Sequence, residues 1–233
     1  MSKPLNILLV RHGQSHGNIN KEIYKSIPDY ALELTEQGQQ QALEAGKKMW
    51  CYFADQNGGY IDTDPVQFYI SPFWRTRQTY QLIKRSFSKS YLYEDPRLRE
   101  QEWNGKLPTD GYRHEDEAER DSYGHFYYRF DGGESCGDVF DRVSDFMNTL
   151  HRDFERDKYP KNVIIVTHGM TMRVFLMRWL HLKVEEFEQL ANPKNCEFIA
   201  LKLNCFEKYD LVTDLRQYSS INHPYQYDWN KLA

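Results

Sequence analysis

The chain has 233 residues, with 30 Lys and Arg against 34 Asp and Glu, for a formal charge of −4. That length can bury a core unaided, and a 15% share of aromatics at so small a net charge excludes a disordered chain. The mild acidity gives no overall basic footprint for nucleic acid or anionic membrane, and no run approaches the roughly eighteen apolar residues of a membrane span.

Met1–Pro4 leads straight into a short apolar run with no small-residue cleavage site, so no targeting segment is read and a cytoplasmic location is expected. Asn6–Val10 (NILLV) is continuous in apolar residues, the pattern of a strand buried on both faces of a parallel sheet. After a polar loop, Thr35 precedes a helical pattern with Ala42, Ala45, Met49 and Phe53 on one face. Gly58-Gly59 and Asp62–Pro65 break the chain before a second strand, Gln67–Ile70, and a helix over Trp74–Arg85. Tyr91–Tyr93 reads as a third strand, and Asp95 to Gly133 is polar, aromatic and irregular. Ser135 reads as an N-cap with Asp138 three residues on, starting a helix that carries Val139, Val143, Phe146, Leu150 and Phe154 at helical spacing. Val163–Val166 (VIIV) is the clearest buried strand; Met170–Leu180 is an apolar helix directly after it, and Glu197–Leu203 alternates like a further strand. This alternation predicts an α/β fold, a three-layer sandwich with a mostly parallel sheet and helices on both faces. No linker is seen, so one domain over 1–233 is expected, with a lid-like insertion at about 105–133 and a polar C-terminal extension at about 206–233. The extension's aromatics favour an ordered wrap over a loose tail. Cys51, Cys136, Cys196 and Cys205 form no C-x-x-C pair and no Cys/His metal spacing, so reduced thiols and no metal site are expected.

One internal echo carries chemistry. Leu9-Val10-Arg11-His12-Gly13 and Val166-Thr167-His168-Gly169 each place a His and then a Gly just past a buried strand. Ligands of open α/β sheets bind outside the carboxyl ends of the strands, and neighbouring strands lie roughly 5 Å apart, so the two imidazoles would face one small ligand. Arg11 precedes the first His, and Arg75 sits at a strand-to-helix junction; guanidinium forks and helix N-termini both select tetrahedral oxyanions. Asn18 can donate an amide to the same anion. The loop Gly13–Asn20 lacks the Gly-rich pattern and Lys of a nucleotide P-loop.

LVRHGQSHGN (Leu9–Asn18), SPFWRTRQT (Ser71–Thr79), RLREQEW (Arg97–Trp103) and VTHG (Val166–Gly169) together resemble the motifs of the histidine phosphatase, or phosphoglycerate-mutase-like, superfamily, in order and spacing from Leu9 to about Leu203. Tyr123–Val143 with His168–Trp179 further resembles a eukaryotic-type branch of phosphoglycerate-mutase-like phosphatases. The resemblance implies a phosphomonoesterase that needs neither metal nor cofactor and acts on a small phosphate ester. It makes His12 a nucleophile that forms a phosphohistidine, with Arg11, Arg75, Asn18 and His168 holding the phosphoryl oxygens. Glu100 would protonate the leaving oxygen and then activate water. Spacing alone does not choose among Glu94, Asp95, Glu100 and Glu102; the family's Leu-x-Glu pattern, matched by Leu98-Arg99-Glu100, selects Glu100, with Glu102 the alternative. The Gly that many relatives place soon after is shifted here, in Trp103-Asn104-Gly105. Specificity is expected from Gly105–Gly133, where Arg113–Asp121 reads as a solvated face and Arg129, flanked by aromatics, is a candidate substrate contact. Arg173, one helical turn beyond His168, is a second candidate. A phosphoglycerate-type mutase and a non-catalytic interaction module on the same scaffold are the alternatives.

Overall fold

The computed structural model of the chain describes residues 3–56, 65–103, 119–120 and 122–218. The apolar runs become a six-stranded sheet: β1 (Asn6–Arg11), β2 (Val66–Ile70), β3 (Ser90–Glu94), β4 (Asn162–Thr167), β5 (Phe198–Leu203) and β6 (Tyr209–Leu211). Their order is β3-β2-β4-β1-β5-β6. β3, β2, β4 and β1 run parallel, while β5 and β6 are antiparallel to their neighbours. Alternation within the buried strands sorts side chains onto two faces. Ile7, Leu9, Tyr69, Val163, Ile165 and Leu201 pack on one face beneath α4 (Cys136–Phe154) and α5 (Gly169–Leu180). Leu8, Val10, Phe68, Ile70, Ile164 and Val166 face α2 (Glu36–Gln56) and α3 (Trp74–Ile83) through Ala45, Met49, Phe53, Tyr80 and Ile83. The expected three-layer sandwich is what the chain forms.

Local chemistry sets the helix starts. Ser135 and Asp138 make a reciprocal capping box, with Ser135 Oγ accepting from Asp138 N at 3.1 Å and Asp138 Oδ2 accepting from Ser135 N at 2.7 Å. Thr35 Oγ1 accepts from Gly38 N at 3.0 Å in the first turn of α2. That turn lies against the loop after β1 so closely that a Cβ on Gly38 would meet the Gln14 carbonyl oxygen at 2.0 Å, and one on Gly13 would meet the Gly38 carbonyl oxygen at 2.4 Å. The helix expected to Arg85 ends at Ile83 and tightens into a 3₁₀ turn over Lys84–Ser86. The short helices α1 (His16–Ile19) and α6 (Val184–Gln189), and strand β6, were not read from the sequence. Of the lid-like stretch 105–133, residues 105–118 and 121 fall outside the described residues, as do 219–233 of the C-terminal extension and the Gly58-Gly59 break. Over 206–218 the chain adds β6 at the sheet edge, and Gln217 bridges to Leu190. Among the described residues no helix is long and apolar enough to cross a membrane.

Candidate active site

The central pairing of β1 with β4 builds the site. Their register sets Val10 opposite Val166 and Arg11 opposite Thr167, and His12 N donates to Thr167 O at 2.9 Å. The next residues, His12 and His168, therefore stand side by side. Their ring centroids are 5.1 Å apart at 62°, and both side chains are buried. His12 Nδ1 is 2.7 Å from the Gly13 carbonyl oxygen, a contact that requires a hydrogen on Nδ1 and leaves the lone pair on Nε2. Burial holds the His12 pKa well below the ordinary histidine value, helped by the charges of Arg75 and Arg11. The same burial, with Arg75 and His12 beside it, depresses His168. Both rings are neutral at neutral pH.

Arg75 comes from the first turn of α3, which Gly13 N grips by donating to Thr79 Oγ1 at 3.0 Å. Its Nε donates to His12 Nε2 at 3.3 Å. The opposite end of the guanidinium is held by Asp29: Nη1 donates to the Asp29 carbonyl oxygen at 2.7 Å and to Oδ1 at 2.8 Å, and Nη2 to Oδ2 at 3.3 Å. The edge turned to the site carries one further Nη2–H beside the Nε–H that donates to the His12 lone pair, a side-on fork that an oxyanion arriving at His12 would take over. Arg11 Nη1 donates to the Pro193 carbonyl oxygen at 2.7 Å. Asn18 Oδ1 accepts from Ser15 N at 3.0 Å and from Asn195 Nδ2 at 3.2 Å, so its own NH₂ stays available as a donor.

Glu100 reaches the site from the loop after β3. Its carboxylate sits on the N-terminus of α5, where Oε1 accepts from Thr171 N at 3.2 Å and Oε2 from Met170 N at 3.3 Å. Arg142 of α4 clamps the loop from behind, donating to the carbonyl oxygens of Arg97 at 2.6 Å, Arg99 at 2.9 Å and Glu100 at 3.2 Å, and to both oxygens of Glu134. The alternative, Glu102, is exposed and lies outside the cavity wall.

A cavity of about 270 Å³ opens over these groups, lined by Arg11, His12, Asn18, Arg75 and Glu100. Arg173 joins them. It is buried, its Nη2 donates to the Phe187 carbonyl oxygen at 3.2 Å, its charge lies 4.5 Å from the Phe187 ring centroid, and it forms no ion pair among the described residues. Arg129, the other candidate substrate contact, is not among the residues that line this cavity. It lies at the surface with a side chain 64% exposed, drawn to Asp138 in the first turn of α4. Asp29, Tyr24, His125, Asn192 and Tyr218 also line the cavity and were not read from the sequence. His125 lies in the Tyr123–Val143 segment and Tyr218 in the aromatic C-terminal extension, but neither was singled out, and the other three belong to no periodic pattern or motif. Burial and Asp29 push the Tyr24 phenol up to about 12, so it keeps its proton. Among the described residues no group of His, Cys, Asp and Glu gathers as a metal site.

The sequence profile of the histidine phosphatase superfamily (branch 1) matches residues 7–208. The chain belongs to this family. Among similar members of the histidine phosphatase superfamily, phosphoglycerate mutase-like protein AT74H of Arabidopsis thaliana is 40% identical over 216 residues, covering 88% of this chain and 76% of that protein. The broad-range acid phosphatase DET1 of Saccharomyces cerevisiae is 29% identical, covering 94% of this chain and 91% of its own. Among solved histidine phosphatase folds, the mycobacterial glucosyl-3-phosphoglycerate phosphatase complexed with VO₃ superposes with a TM-score of 0.68 at 20% identity, over 94% of this chain and 100% of that one.

Proposed function

We propose that this histidine phosphatase family member is a metal-independent phosphomonoesterase working through a phosphohistidine at His12 on a small phosphate ester. One observation carries the reading. A neutral imidazole has its Nδ1–H committed to Gly13 O, which turns the Nε2 lone pair toward a buried arginine whose Nε–H donates to it and can pass to an arriving phosphoryl oxygen. Nε2 attacks phosphorus, and the bond to the leaving oxygen breaks as protonated Glu100 passes its hydrogen to that oxygen. The Glu100 carboxylate then takes a proton from water while the water oxygen attacks phosphorus. The P–N bond electrons return to Nε2, and phosphate leaves. Arg11, Arg75, Asn18 and His168 donate to the phosphoryl oxygens, where charge builds in the loose transition state. Arg173, a buried cation that forms no ion pair among the described residues, receives a second acidic or hydroxyl group of the substrate. The relative named as a broad-range acid phosphatase supports hydrolysis as the outcome.

Hydrolysis of p-nitrophenyl phosphate in excess EDTA tests this. The wild type is expected to turn over, and His12→Ala to lose at least about a thousandfold. An acid-labile phosphoryl group should appear on the wild type alone. No hydrolysis, or equal rates for the two proteins, overturns the proposal. Label retained in an organic monophosphate instead of free phosphate identifies a mutase.

A further inference from the structure

The register that brings the two histidines together places a third residue in the same row. β2 pairs with β4 so that Ile70 lies opposite Val166, and Ser71 N donates to Val166 O at 3.1 Å. Ser71, fully buried, therefore lies beside His168, with 2.8 Å between its Oγ and His168 Nε2. Ser71 Oγ also accepts from Phe73 N at 3.3 Å. His168 Nδ1 is buried with no partner among the described residues.

Two tautomers are open to a neutral His168, and they leave different groups unsatisfied. With the hydrogen on Nε2, that N–H donates to Ser71 Oγ. The Ser71 hydroxyl hydrogen then has no acceptor among the described residues, and Nδ1 is left as a buried lone pair with no donor among them. With the hydrogen on Nδ1, Ser71 O–H donates to Nε2 while its oxygen accepts from Phe73 N. The one group then left over is an Nδ1–H, which is the group an oxyanion would satisfy. The second arrangement strands fewer buried polar groups.

We propose that Ser71 is the positioning residue that fixes His168 in the Nδ1–H tautomer, making that ring a hydrogen-bond donor to the phosphoryl group. The two histidines then share one tautomer and face the ligand with opposite nitrogens. His12 turns its N–H to the backbone and offers a lone pair; His168 turns its lone pair to Ser71 and offers a hydrogen. The donor role rests on the proposed phosphatase function, whereas the tautomer does not.

Long-range ¹H–¹⁵N correlation of the imidazoles in ¹⁵N-labelled protein, with His168 assigned from the His168→Gln spectrum, reads the tautomer without any assay. The wild type at pH 7.5 is expected to show a pyrrole-type Nδ1 and a pyridine-type Nε2 at His168. Ser71→Ala is expected to shift both toward the Nε2–H pattern and to lower kcat about tenfold with a smaller change in KM. Ser71→Thr, which keeps the hydroxyl, should retain the Nδ1–H pattern. A wild-type His168 carrying its hydrogen on Nε2 overturns the inference, and so does Ser71→Ala with an unshifted Nδ1–H pattern. An inactive wild type that still shows the Nδ1–H pattern sinks the phosphatase reading and leaves the tautomer assignment standing.

Discussion

Asp29 and Arg75 show how single side chains set the chemistry. The carboxylate takes the end of the guanidinium away from His12 and neutralises part of its charge, which lets a cation stay buried with a side chain only 4% exposed. The fork left over is the part that can follow charge onto a phosphoryl oxygen. Arg75→Ala should therefore cost about a hundredfold or more in kcat, while Arg85→Ala, at an exposed position in the following turn, should leave it unchanged. Equal rates for the two variants would remove Arg75 from the site. Arg173 is expected to act differently. Arg173→Ala should raise KM for a substrate with a second anionic group about tenfold, yet change p-nitrophenyl phosphate hydrolysis little, because only the former gives the buried cation a counter-charge. A uniform loss on both substrates would mean that Arg173 is needed for packing against Phe187 alone.

At the scale of elements, the loop 97–102 is the part held least by its own structure. Thr167 Oγ1 donates to Leu98 O at 2.7 Å, Thr171 Oγ1 to Arg99 O at 2.7 Å, and Arg142 supplies three further bonds to carbonyl oxygens. Arg142→Gln is expected to lower kcat more than it raises KM, since Glu100 loses its fixed position, and to destabilise the fold by about 1–3 kcal/mol by removing one of the two arginines that pair half-buried Glu134. Thermal unfolding alongside steady-state kinetics would read both effects. Two glycines give opposite signs. Gly38→Ala drives a methyl into the backbone of Gln14 and should cost about 1–3 kcal/mol or more, whereas Gly137→Ala meets Ser135 Oγ at 3.4 Å and Phe126 Cε1 at 3.8 Å, ordinary contacts, and should gain about 0.5–1 kcal/mol in α4. A neutral Gly38→Ala would mean that the contact relaxes freely. Much of this level was legible in the amino-acid order. NILLV and VIIV are buried on both faces and therefore unbroken, and Ser135 and Asp138 announce their own cap. Strand direction was not legible, because Phe198–Leu203 carries the same alternation whether it pairs parallel or antiparallel. Nor was Arg142, which reads as one polar residue on a helix until the loop it holds is seen in space.

For the whole molecule, buried neutral histidines tie stability to pH. His12 and His168 are held well below the ordinary value, and burial brings His125 down to about 4 despite its bond to Glu188. The unfolded chain takes up protons near pH 6.5 that the folded one refuses, so stability falls as pH drops below that value. Each ring contributes up to about 1.4 kcal/mol per pH unit until its folded pKa is reached. Urea midpoints should therefore be lower at pH 5.0 than at pH 7.5, and His125→Gln should flatten the slope; a midpoint that holds or rises on acidification contradicts this assignment. Of the proposed catalytic cluster, His12, His168 and Arg75 were visible because each directly follows a strand or sits in the first turn of a helix, whereas Glu100, in the loop after β3, was singled out by the family resemblance alone. The strand order that joins the cluster's halves also governs how the chain matures. β1 is made first, yet both of its partners, β4 and β5, lie in the last third of the polypeptide. On the ribosome, NILLV must wait with both edges bare until β4 emerges and with one bare until Leu203 follows, and a nascent chain stopped short of β4 carries half of the candidate site and a sticky ribbon for chaperones to guard.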